Sequence, residues 1–397
     1  MSSTPLTLPR RCRFLGWLVR TLYYRRVSVR GDSVSRRPTL FLLSHRNGAT
    51  DGQIYMTALG DTPSLISIQL LRHWYLRLFF AGIPVVRDKD RARYRIKADT
   101  VAAPVAAAIA QLRAGGSLAL YPEGTSAWEF RPLPYHNGMA VIAAKLLAAG
   151  VDFVVQPAAA YYSKPDGFRS RVSLIFGAPF VPQGESVAAL QKELAAALDA
   201  VSVNCADAAH FNQVQHAAWQ AAQQGEDYGV AFLRAQRANH PANIGCRTLP
   251  CPVEGRSAPV AESPTIAKPP ADLSPPPVGE GQGGGSKPPA PATPQTATFT
   301  YTMSAQVYVN RFATLALCLT CPLIVAGACL AARAADGRNN TSFFRILGGM
   351  AGALLQIPLW LAALYLAPLA GGLWLAAAVL TWRAYPEPAP LPLPETP

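Results

Sequence analysis

The chain has 397 residues, half of them apolar, and a formal net charge of +13. That length holds one domain of ordinary size plus further segments. The positive balance asks for an anionic partner, either a membrane surface or nucleic acid. Seven cysteines, an odd number at scattered positions, show no spacing of a disulfide framework and point to a reducing compartment.

Residues 1–30 read as a basic amphipathic membrane-interface segment. Arg10, Arg11, Arg13, Arg20, Arg25 and Arg26 alternate with Phe14, Leu15, Trp17, Leu18, Leu22, Tyr23 and Tyr24. Arginines mixed with Trp and paired Tyr suit the headgroup zone of a bilayer. The run fits a signal peptide poorly, because the apolar stretch 14–19 is too short and Arg20 interrupts it.

Residues 31–236 read as one α/β domain. Strands are expected at 39–44, 63–69, 85–86, 117–121, 151–162 and 171–176. Helices are expected at 71–81, at 91–114 with a break at Pro104, at 138–149 ending on Gly150, and across the Ala- and Gln-rich stretch 186–237. Alternating strands and helices predict a mixed, largely parallel sheet covered by helices.

Residues 237–300 are dominated by Pro, Gly, Ser and Ala, as in Pro275-Pro276-Pro277 and Gly283-Gly284-Gly285. Such a composition buries too little apolar surface to fold, so a disordered linker is expected. Residues 301–385 read as apolar membrane helices, and 386–397 as a Pro-rich tail. The uncharged run 312–332 is long enough to span a bilayer, with Pro322 near its middle. The run 346–382 is long enough for two spans, with Pro368 and Gly371-Gly372 as the natural turn. Gly348 and Gly352 make a G-x-x-x-G, a helix-packing motif. Cys318 and Cys321 form a C-x-x-C inside apolar sequence with no second pair, which suits packing better than metal binding. The basic loop 333–345 belongs on the cytoplasmic side, whereas three full spans from a cytoplasmic linker would put it outside. Either the segment holding Pro322 is re-entrant or interfacial, or the charge bias is overruled.

Four motifs carry chemistry: Ser44-His45-Arg46-Asn47-Gly48-Ala49-Thr50-Asp51, Gly82-Ile83-Pro84-Val85-Val86-Arg87, Tyr121-Pro122-Glu123-Gly124-Thr125-Ser126 and Val154-Val155-Gln156-Pro157. Imidazole takes and returns a proton near neutral pH. A carboxylate on its other nitrogen fixes the tautomer and stabilises the imidazolium. His45 and Asp51 suit those parts, although five residues separate them. Each helical residue turns about 100°, so the pair cannot share one helix face, and the motif must straddle a loop and a helix start. Gly48 can adopt backbone conformations closed to other residues and so absorb the length. Arg87 offers a forked donor to phosphate oxygens. There is no G-x-S-x-G nucleophile elbow.

In this order the motifs resemble the glycerophospholipid acyltransferases, the family of the lysophosphatidate and glycerol-3-phosphate acyltransferases. The likeness covers residues from about 10 to 190. The layout of an apolar C-terminus behind a variable linker is similar to that of the glycerol-3-phosphate and dihydroxyacetone-phosphate acyltransferase branch. Two departures stand out: the family places four residues, not five, between His and Asp, and it has Arg where this chain has Ser126. Arg46 and Arg131 are the nearby basic residues that could compensate. The resemblance implies His45 as general base and Asp51 as its orienting partner, with direct transfer and no acyl-enzyme. It also implies Arg87, Glu123, Gly124 and Thr125 as acceptor-binding residues. The strand ending in Pro157 would shape the pocket, and His136 would be a surface or packing residue.

The implied enzyme is a membrane-bound O-acyltransferase with its active site on the cytoplasmic face. The donor would be acyl-CoA or acyl-carrier protein, the acceptor glycerol-3-phosphate or lysophosphatidate, and the remaining partner membrane lipid. No cofactor and no metal is suggested. Two other classes compete: a non-catalytic acyltransferase-like protein that binds lipid or scaffolds, and a nucleic-acid-binding protein. The first would have His45 and Asp51 too far apart to bond. The second lacks a zinc, helix-turn-helix or single-strand-binding signature.

Overall fold

The computed structural model describes residues 4–86, 104–238, 309, 311–390 and 392–394. Most of the linker 237–300 lies outside them. The described residues all fall within one compact unit, Met1–Pro252 with Val309–Pro397.

Among the described residues seven strands form one sheet: β1 (Arg26–Gly31), β2 (Thr39–Leu43), β3 (Ser64–Ser67), β4 (Gly82–Val85), β5 (Leu118–Leu120), β6 (Val154–Tyr162) and β7 (Arg171–Phe176). Their spatial order is β1-β7-β6-β2-β5-β3-β4. The run from β6 to β4 is parallel. β7 lies antiparallel to β6, and β1 runs parallel to β7. The sheet is mixed and mostly parallel. β2 and β6 are buried along their whole length, as expected of strands covered on both faces.

Alternation along β2 divides the core in two. Leu40 and Leu42 face a layer of helices: α5 (Pro104–Arg113), α6 (Gly138–Ala148), α7 (Val187–Asp199), α8 (Ala208–Gln223) and α9 (Tyr228–Ala238). Phe41 and Leu43 face Ile54, Tyr55 and Leu59 of α2 (Gly48–Leu59). Val19, Tyr23 and Tyr24 of the N-terminal segment and Ile346 of a C-terminal helix join that second face. Truncating any of these leucines to Ala costs about 2–5 kcal/mol.

Several expectations need correction. Residues 26–30, expected in the interface segment, belong to the edge strand β1, whose register pairs Val27 with Val172. The helix expected at 71–81 is two short ones, α3 (Gln69–Arg72) and α4 (Leu76–Phe79). His73 turns extended between them, and its carbonyl accepts from Leu76 and Arg77. The stretch 186–237 is three helices, because the side chains of Ser186 and Asp207 each cap a new one.

α1 (Arg10–Leu18) packs Gly16 against the Gln53 carbonyl of α2. Its outer face exposes Phe14 and Trp17 beside the arginines, and Trp74 is exposed too.

The expected span 312–332 is not straight. α10 (Arg311–Thr320) and α11 (Pro322–Ala332) meet at a 118° bend, the geometry of a broken span or a re-entrant loop. Pro322 lacks an N–H and opens the new helix. The Gln356 side-chain oxygen accepts from Leu323 N at 3.1 Å and caps that start. α12 (Arg338–Leu366) is long and apolar enough to cross a bilayer; counting the bent pair would make two among the described residues. Gly348 and Gly352 let α11 and α12 touch backbone to backbone, since a Cβ at either would collide with the Gly327 or Leu323 carbonyl. The expected turn at 368–372 falls at Ala367; Pro368 already begins α13 (Pro368–Ala384), with both glycines inside it.

The C-terminal region contacts the α/β portion at several points. Arg338 pairs with Asp166 at 3.3 Å, and Arg345 donates to the Asp166 carbonyl. Trp382 Nε1 donates to Leu22 O at 2.9 Å, Arg171 pairs with Glu387 at 2.7 Å, and Asn212 makes two bonds to the Leu393 backbone. The basic start of α12 therefore lies against the α/β portion.

Candidate active site

β2 ends at Leu43 and delivers Ser44 and His45 to the sheet's C-terminal edge, where ligands of open parallel sheets commonly bind. The chain then turns. Gly48 has φ +51 and begins α2, which places Asp51 in the first helical turn. The left-handed glycine takes up the extra residue.

Asp51 is fully buried. Its Oδ2 accepts from His45 Nδ1 at 2.9 Å, Arg46 N at 2.7 Å and Asn47 N at 2.8 Å. Its Oδ1 accepts from Tyr162 OH at 2.5 Å. Four donors compensate the desolvation of an ionised carboxylate. With an ionised carboxylate on Nδ1, the bond assigns the proton to that nitrogen and the lone pair to Nε2. Among the described residues nothing bonds Nε2, and the His45 side chain is 19% exposed. The Tyr121 ring lies 4.6 Å from the His45 ring and tilts 38° to it.

The second turn, 121–126, is tied to the first. Glu123, also buried, accepts His45 N on Oε1 at 2.8 Å and Leu133 N on Oε2 at 3.2 Å. Burial pushes its carboxyl above the usual range, while those two N–H groups and the charge of Arg46 pull it back. Ala127 N donates to His45 O at 3.2 Å. Glu123 thus grips the main chain of the histidine. Gly124 has φ +65, and the exposed His136 ring stands against it, where a Cβ would collide. Thr125 is exposed at the tip of the turn.

Arg46 points inward. It lies 4.5 Å over the Trp128 ring and donates Nη2 to Glu129 O at 2.8 Å. Burial lowers its pKa. Arg131 lies over Phe130 at 5.1 Å. Arg87 is outside the described residues; Gly82–Val85 of its motif forms the edge strand β4. In the fourth motif, Gln156 is fully buried and donates to Ser33 O and Gly177 O at 2.9 and 3.0 Å. That residue supports the sheet.

An apolar cavity lies between α2 and the sheet, lined by Leu43, Gly52, Tyr55, Ile66, Phe80 and Tyr121. Through Tyr121 it adjoins His45. Among the described residues no group of three or more His, Cys, Asp and Glu is placed to hold a metal.

Two contributors carried no motif. Tyr162, at the end of β6, completes the Asp51 shell. From the C-terminal region, Asn339 Nδ2 donates to Ser126 O at 2.7 Å and to Ser126 Oγ at 2.5 Å. A polar cluster, Arg338-Asn339-Asn340-Thr341-Ser342, immediately before an apolar run was the signal available for it.

No family model and no curated protein matches the chain. One similar solved structure is the 1-acyl-sn-glycerophosphate (LPA) acyltransferase PlsC from Thermotoga maritima. It is 19% identical, the match covers 48% of this chain and 76% of that one, and the TM-score is 0.37. At that distance the likeness decides nothing about activity.

Proposed function

We propose that this chain is a membrane-bound O-acyltransferase. It moves a fatty acyl group from acyl-CoA or acyl-carrier protein to 1-acylglycerol-3-phosphate or glycerol-3-phosphate, in phospholipid synthesis. The observation that carries the proposal is the 2.9 Å bond between His45 Nδ1 and a fully buried Asp51. It leaves Nε2 as a base in a half-buried site.

The acceptor hydroxyl attacks the thioester carbonyl while His45 Nε2 takes its proton. Asp51 stabilises the imidazolium without taking the proton itself. The tetrahedral intermediate collapses, the C–S bond breaks, and His45 returns the proton to the departing thiolate. The products are the ester and the free thiol. Arg87 is assigned to the acceptor phosphate, Thr125 and the Gly124 backbone to the acceptor, and Glu123 to holding His45. Exposed Phe14, Trp17 and Trp74, together with α12, suit seating in a bilayer with cytoplasmic substrates.

The test is transfer of labelled acyl groups by purified protein in detergent, wild type against His45→Ala. The expected result is transfer that the substitution removes while membrane association survives. Arg87→Ala is expected to raise mainly the acceptor KM. No transfer from either donor to either acceptor by folded protein would favour a non-catalytic lipid-binding protein.

A further inference from the structure

The start of α12 touches both turns that flank His45. Asn339 donates two hydrogen bonds to Ser126, one to its carbonyl and one to its hydroxyl, at 2.7 and 2.5 Å. The residue after Ser126 bonds His45 O. On the other side, Asn340 Oδ1 occupies the space where a Cβ on Gly48 would lie. Asn340 itself is held by Asp336, at 2.6 Å from its Nδ2. One turn further along, Ser342 accepts from Tyr23 OH at 3.2 Å and donates to Pro165 O. Asn47, next to Gly48, donates to that same Pro165 carbonyl at 2.9 Å. The histidine loop, the Glu123–Ser126 turn and the first turn of α12 therefore form one connected set of polar contacts.

We propose that the first turn of α12 is a wall of the acyl-transfer site, and that Asn339 is a positioning residue that holds the Ser126 turn in place for the acceptor. This rests on the acyltransferase reading above. Its physical content is an assembly requirement: the membrane helix must be docked for the turn to be fixed. A carbonyl and a hydroxyl held by one amide lose two bonds together when the helix withdraws. Asn340 adds a reason for glycine at 48 beyond its backbone conformation, because the helix leaves no room for a side chain there.

The test uses the full chain in detergent and compares Asn339→Ala and Asn339→Asp with wild type. Asn339→Asp keeps the shape but removes the N–H donors. Asn212→Ala removes two bonds to the tail at Leu393, away from α12 and the Ser126 turn, and controls for a general loss of stability. Initial rates give kcat and KM for acceptor and donor separately, and amide exchange of the 121–127 peptide is followed on the same samples. The expected result is a drop of about ten-fold in acceptor kcat/KM for both Asn339 variants. Donor KM should stay constant, exchange in 121–127 should quicken, and Asn212→Ala should do none of this. Wild-type acceptor kinetics and exchange in Asn339→Ala would overturn the proposal, as would an equal effect of Asn212→Ala. If wild-type protein transfers nothing, the acyltransferase reading has failed. Exchange then decides the wall by itself: faster exchange in Asn339→Ala supports it, and unchanged exchange overturns it.

Discussion

Asp51 and Glu123 are buried carboxylates that both bond to His45, one at the ring and the other at the main chain. Asp51 sits in the 45–51 turn under four donors, one of them the imidazole. Glu123 sits in the 121–126 turn and receives two main-chain N–H groups. The difference separates two tasks that one sequence motif cannot distinguish. A charge against Nδ1 sets the proton inventory of the ring. A charge against the backbone N–H sets where the ring stands.

The sharpest way to break the comparison is Asp51→Asn. Its carbonyl can replace Oδ2 and keep the three N–H donors, while its amide faces the Tyr162 hydroxyl, which can accept. The fold should hold and the charge alone should vanish. The expected loss in kcat is on the order of 10²–10⁴-fold, read by initial rates, with a melting temperature close to wild type.

Glu123→Gln attacks the other task. One carboxamide oxygen can accept only one of the two N–H groups well, and its NH2 faces the other. Stability should fall by about 1–3 kcal/mol, measured by denaturant unfolding, and kcat by about ten-fold as His45 shifts. An unchanged rate would mean that the histidine loop holds its place without Glu123.

Tyr162→Phe removes one donor from Asp51 and leaves the relay bond in place. A several-fold loss of kcat is expected, smaller than for Asp51→Asn. An equal loss would mean that Asp51 depends on Tyr162 for its orientation.

The smallest effect is a pH dependence. Burial raises the Glu123 carboxyl above its ordinary value. A raised carboxyl binds its proton more tightly in the folded state. Its stabilising contribution is complete below the unfolded value and is lost as pH rises through the folded one. The stability gap between wild type and Glu123→Gln should therefore be widest in acid and narrow as pH rises through that window. Unfolding curves at stepped pH measure it; a gap that widens instead would contradict the assigned cause.

Much of the frame was legible because apolar runs stop at clear punctuation. β2 ends at the histidine motif, α6 ends before Gly150, and β7 matches the expected range 171–176. The His45–Asp51 geometry was legible as far as Gly48, since only a left-handed residue could take up the added length. β1 was hidden because Arg26–Gly31 continues a basic, aromatic stretch and exposes most of its side chains at the sheet edge. The break at His73 came from backbone geometry within an apolar stretch whose composition reads as helix. Tyr162 and Asn339 were out of reach for a different reason. Each acts on the site from a distant part of the chain, 111 and 213 residues from its partner, and no local pattern encodes such a contact.

The most direct measurement is acyl transfer by purified protein in detergent, wild type beside His45→Ala and Asp51→Ala. Labelled acyl-CoA and acyl-carrier protein are each offered with glycerol-3-phosphate and, separately, with lysophosphatidate. Transfer to one acceptor that both substitutions abolish is the predicted result. Transfer that survives either substitution would contradict the account, because the buried pair at 2.9 Å would then not be the base.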